Sequence, residues 1–63
     1  MTATVRTRAI ASLLAMFKAE HGSTPQWLID LHHRADDALL LQRLANWRAN
    51  YPALYAAHGL YVM

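Results

Sequence analysis

Sixty-three residues make at most one small domain, which excludes a two-domain enzyme, a doubly wound sheet, a barrel or a repeat array. No cysteine is present, so neither a disulfide framework nor a thiolate zinc site can hold the chain together. The composition is 56% hydrophobic and 16% charged, too apolar for disorder and short of the ~25% charge typical of a soluble domain. Six Lys and Arg oppose four Asp and Glu for a net charge of +2. The basic residues (Arg6, Arg8, Lys18, Arg34, Arg43, Arg48) are scattered rather than clustered as in a nucleic-acid patch.

Alanine and leucine dominate, β-branched residues are few, and no segment alternates with period two. The expected fold is therefore all-α, a small bundle of three to four short helices at about 4–20, 25–34, 37–50 and 52–58. In the first of these, Ala9, Ile10, Leu13, Met16 and Phe17 share one face, with Arg8, Ala11, Ala15 and Lys18 opposite. Gly22 is a natural stop. The outline of Met1–Lys18 resembles a targeting peptide, but no small-x-small cleavage site follows it cleanly. Its loss would leave a chain hard to fold alone, so the segment is expected to belong to the domain.

Ser23-Thr24-Pro25-Gln26 is the strongest local start signal: Ser23 or Thr24 as N-cap and Pro25 at the first helical position. Trp27, Leu28, Leu31, Ala35 and Ala38 then share a face. Further on Leu40, Leu44, Trp47 and Tyr51 share another, roughly opposite if the helix runs straight. Either a turn at Arg34–Asp37 re-aims the chain, with Asp36 or Asp37 as N-cap, or one long helix is apolar on two sides and covered by a partner. The phase shift favours the turn. In the resulting bundle the first helix is expected to pack on the Trp27–Leu31 stripe and on the leucine-rich third segment. Asn50-Tyr51-Pro52 ends that third segment and Pro52 opens a last short helix, stopped by Gly59. The apolar tail Leu60–Met63 is expected to dock on something.

His32-His33-Arg34-Ala35-Asp36-Asp37 is the densest polar cluster. On a continuous helix His32/Asp36 and His33/Asp37 would be i, i+4 pairs able to chelate a divalent ion, but two ligands are too few and a turn abolishes the ladder. Solvated histidines beside an Asp cap are the expected reading, with no metal site and no cofactor. No nucleophile motif surrounds Ser12 or Ser23, so no catalytic residue is assigned and enzyme activity is not expected.

The aromatic and leucine residues are more than a chain of this size, burying about 60% of its unfolded surface, can hide. A non-enzymatic protein–protein interaction module, a small adaptor, regulator or inhibitor that self-associates in the cytoplasm, is the function these features favour. Its expected contact residues are Leu40, Leu44, Trp47, Tyr51 and Tyr55, with Arg43 and Arg48 at the rim. The alternative is a small nucleic-acid-binding transcriptional regulator of helix-turn-helix layout that uses Arg43 and Arg48. Against it, Leu39-Leu40-Leu41 covers most of the circumference where a recognition helix needs polar reach. No run approaches the ~18–20 apolar residues of a membrane span, and membrane binding is not expected.

Overall fold

The computed structural model describes residues 1–59. Four helices follow one another: α1 (Ala3–His21), α2 (Gln26–Arg34), α3 (Asp37–Asn50) and α4 (Pro52–His58). The all-α expectation and the order of its helices hold. The apolar tail Leu60–Met63 lies outside the described residues.

Each boundary has a local cause. Thr2 caps α1, its hydroxyl accepting from the Val5 N–H at 3.1 Å. At the other end Gly22 takes φ 87°, a left-handed conformation that glycine adopts without a Cβ penalty, and its N–H closes on the Lys18 carbonyl at 2.7 Å. Lys18 and His21 sit in that last turn, at the negative end of the helix dipole.

The start of α2 departs from expectation. Pro25 is the N-cap and not the first helical residue, and neither Ser23 nor Thr24 supplies a capping bond. Pro25 has φ −67° and an extended ψ of 149°, so its carbonyl, at 3.1 Å from the Leu28 N–H, opens the helix. A hydroxyl one or two residues further back no longer reaches the first-turn amides.

Between α2 and α3 the chain breaks without glycine or proline. Ala35 (φ −67°, ψ 145°) and Asp36 (φ −75°, ψ 170°) are both extended, and two residues suffice to re-aim the backbone. Asp36 is the N-cap of α3, its Oδ1 accepting from the Leu39 N–H at 2.8 Å. The two phase-shifted stripes therefore belong to two helices. Tyr51 both ends α3 and precedes Pro52, the first residue of α4. At the end of α4 a Cβ on Gly59 would lie 2.5 Å from Tyr55 Cδ2, so the ring's close approach requires glycine there.

Helix α1 packs against the other three, and α3 also packs against α4. The core joins Ala9, Ile10, Leu13 and Met16 of α1 to Ala35 of the link and to Leu40 and Leu44 of α3. Leu14, Trp47, Leu54 and Tyr55 pack around it half-buried. Phe17, expected on the core face of α1, is half-buried with its ring 4.3 Å from that of His21. With Cα extents of 26 × 26 × 16 Å the molecule is a flat disc, thin enough that most side chains lie close to solvent.

One buried polar group has no partner. The Ser12 hydroxyl is fully buried on α1 and hydrogen-bonds to nothing among the described residues. A buried hydroxyl without a partner carries its desolvation cost uncompensated. Ser12→Ala is expected to raise stability by about 1 kcal/mol, read as a higher midpoint in urea unfolding at unchanged m-value.

Candidate functional site

The expected contact residues divide sharply. Leu40 is fully buried and Leu44 nearly so, both within the chain's own core, so neither can touch a partner. The helix-break explains this: once α3 turns away from α2, its Leu40–Leu44 face meets α1. Trp47 and Tyr55 are half-buried against the same core. Tyr51 is exposed, its ring tilted 41° against Trp47 with centroids 4.7 Å apart. The Arg48 guanidinium lies 5.8 Å above the Tyr55 ring, a cation–π contact across the α3–α4 corner. Arg43 points inward, its Nη1 2.8 Å from His32 Nδ1. Of the seven residues expected at a partner surface, Tyr51 and Arg48 are thus the exposed pair.

The Trp27–Leu31 stripe also departs from expectation. Helix α2 turns Leu28 and His32 inward, with Ala35 just beyond its end. Trp27 is 64% exposed and Leu31 43%. The two are i, i+4 and stand on one face, flanked by the exposed pair Asp30 and Arg34, also i, i+4. Asp30 Oδ1 accepts from Gln26 Nε2 at 3.1 Å. A further outward apolar residue, Leu41 at 52% exposure, sits on α3 among exposed Ala38, Ala45 and Ala49. Apolarity alone joins Trp27, Leu28, Leu31 and Ala35 in one face expected to be buried. The signal that could have separated Trp27 and Leu31 is that a nine-residue helix carries two adjacent apolar stripes, more than a one-sided core accepts.

His32 is not solvated. Its ring is 5% exposed, and burial, the Arg43 guanidinium and neighbouring His33 all push its pKa below the ordinary 6.5. The i, i+4 metal ladder fails because Ala35 and Asp36 leave the helix. Among the described residues no group of three or more His, Asp or Glu side chains is placed to hold a metal, and no pocket is enclosed. No described helix is long and apolar enough to cross a membrane.

Sequence reasoning missed Arg6. From α1 its guanidinium donates to Asp37 Oδ1 at 2.8 Å, to the His33 carbonyl at 3.1 Å and to the Ala35 carbonyl. These carbonyls belong to the end of α2, where intrahelical donors run out. The planar fork of arginine thus ties the two-residue link to α1. The Arg6 hydrogen bond, with help from the amino terminus 3.4 Å from Oδ2, holds the Asp37 carboxyl below the usual carboxylate range. No local sequence signal marks a contact made across 31 positions.

Comparison of the chain with family models, with curated proteins and with solved structures found no match to any of them.

Proposed function

We propose that this chain is a non-enzymatic protein–protein interaction module of the cytoplasm that self-associates through the outward face of α2. The observation that carries the reading is the exposure of Trp27 beside Leu31, on a helix whose inward face is already filled by Leu28 and His32. An exposed tryptophan flanked by an aliphatic residue is the kind of anchor that dominates interfaces.

A second copy suits this face by charge. Asp30 lies toward the start of the exposed ridge and Arg34 at its end. Two α2 helices packed antiparallel about a two-fold axis bring Asp30 of each copy toward Arg34 of the other, with their dipoles opposed. Trp27 and Leu31 then cover one another's apolar surface. Leu41 on its alanine face, and Tyr51 with Arg48 at the α3–α4 corner, are further surface available to a larger assembly.

Sedimentation equilibrium from one to a hundred micromolar tests the reading. A monomer–dimer equilibrium is expected, and Trp27→Ala should weaken it about 30-fold, the equivalent of a ~2 kcal/mol anchor. A folded monomer at every concentration overturns it. Retention of short duplex DNA at low salt, lost steeply as salt rises, would instead assign the chain to nucleic-acid binding.

A further inference from the structure

His32 is the one buried titratable side chain among the described residues, and its role in the fold is separate from the association surface. Its Nδ1 stands 2.8 Å from Arg43 Nη1. A guanidinium only donates and does not lose its proton, so Nδ1 must be the acceptor nitrogen. The ring is then neutral, with its proton on Nε2. This bond runs from α2 to α3, the helices on either side of the two-residue link.

We propose that His32 makes the docking of α2 onto the rest of the bundle acid-sensitive, so that protonation of its ring releases α2. Protonation removes the acceptor and sets a second cation against the part-buried Arg43 guanidinium, on a ring that is itself buried. No neighbouring group relieves this. From α3 the ring faces Arg43, and on its own helix it adjoins His33, both of which oppose a charge. From α1, Arg6 brings a further cation to the His33 and Ala35 carbonyls at the end of the same helix. The nearby acids are engaged elsewhere, Asp36 with the Leu39 N–H and Asp37 with Arg6. Within α2 itself Leu28 is the one buried apolar residue, so apart from the Arg6 tie at its end the helix is held chiefly by Leu28 and the His32–Arg43 bond.

The direction follows from linkage. The folded chain disfavours the charged ring, so the unfolded or undocked form binds the proton more readily. Docking is at full strength above the ordinary value of 6.5 and weakens as pH falls below it toward the lower value of the folded state.

Amide exchange by mass spectrometry on the full chain, at two micromolar concentrations and corrected for the intrinsic pH dependence of exchange, reads the release directly. Protection over Ile29–Ala35 is expected to fall about tenfold between pH 7 and pH 5 while that of α1 and α3 is kept, and His32→Gln, which offers Arg43 a neutral oxygen, should abolish the change. Nitrogen-15 NMR of the unaltered chain should show an unprotonated Nδ1 at neutral pH and a titration midpoint below 6.5. A protonated Nδ1 at neutral pH, a midpoint at or above 6.5, pH-independent protection of α2, or an equal loss in His32→Gln overturns the proposal. Should His32→Gln not fold, the NMR of the unaltered chain still decides.

Discussion

Replacing Leu13 by alanine is expected to lower stability by about 3 kcal/mol and the melting temperature by roughly 12–24 °C. Leu13 is fully buried at the centre of the α1 face, between Ala9 and Met16, where it meets the Leu40 and Leu44 side of α3. Truncation removes the transfer energy of the lost methyl groups and leaves a cavity that packed neighbours close only in part. The loss is large for this chain, because a domain of its length holds about 3–9 kcal/mol in total. The same change at Leu41, half exposed on the outer side of α3, should cost about 0.5 kcal/mol or less. Circular dichroism melts of the two variants at low micromolar concentration make the comparison. Equal losses would mean that Leu13 does not occupy the core described for it.

Arg6→Ala should have the second largest effect, about 2 kcal/mol. Three acceptors lose a charged donor at once: the Asp37 carboxylate and the carbonyls of His33 and Ala35. The guanidinium is partly exposed, so solvent replaces some of what is lost, and the figure stays below the sum of three charged bonds. Arg6→Lys should recover only part, since an ammonium cannot span a carboxylate and two carbonyls in one plane. The pH dependence gives a second reading. Asp37 titrates below the usual 3.8 in the folded chain, so the stability it lends is present above that value and is lost as pH falls through the lower folded one. Chemical denaturation between pH 5 and pH 2.5 should show that acid loss in the unaltered chain and a shallower one in Arg6→Ala.

The arrangement of helices was written in local chemistry. Glycine after α1, proline at the start of α4 and an aspartate before α3 each act within four residues of themselves, and such features survive any tertiary context. The orientation of α2 was not. Its wheel holds Trp27 with Leu31 and, one step around, Leu28 with His32 and Ala35. Apolarity alone favours burying the tryptophan. What decides for the second face is Arg43, eleven residues further on and on another helix, which gives the buried imidazole its hydrogen bond. Arg6 is the same kind of case, with nothing in its own neighbourhood to announce carbonyls across the fold. The aromatic and leucine stripe of the third segment was legible as a stripe. Whether it met its own chain or another depended on where the two-residue link sent it, and Leu40 and Leu44 went inward.

The central placing of α1 bears on how this chain acquires its fold. The helix first in sequence closes against the last, α4, as well as against α3. The half of the core supplied by Ala9, Ile10, Leu13 and Met16 is matched chiefly by Leu40 and Leu44, so α1 with α2 alone lacks an opposing surface, and so does α3 with α4. Neither half holds the whole core. Helices α3 and α4 meet locally, but the α1 side of the core gains its partner only when the chain between α1 and α3 closes, which makes assembly slower than that of a local hairpin and favours a single cooperative transition.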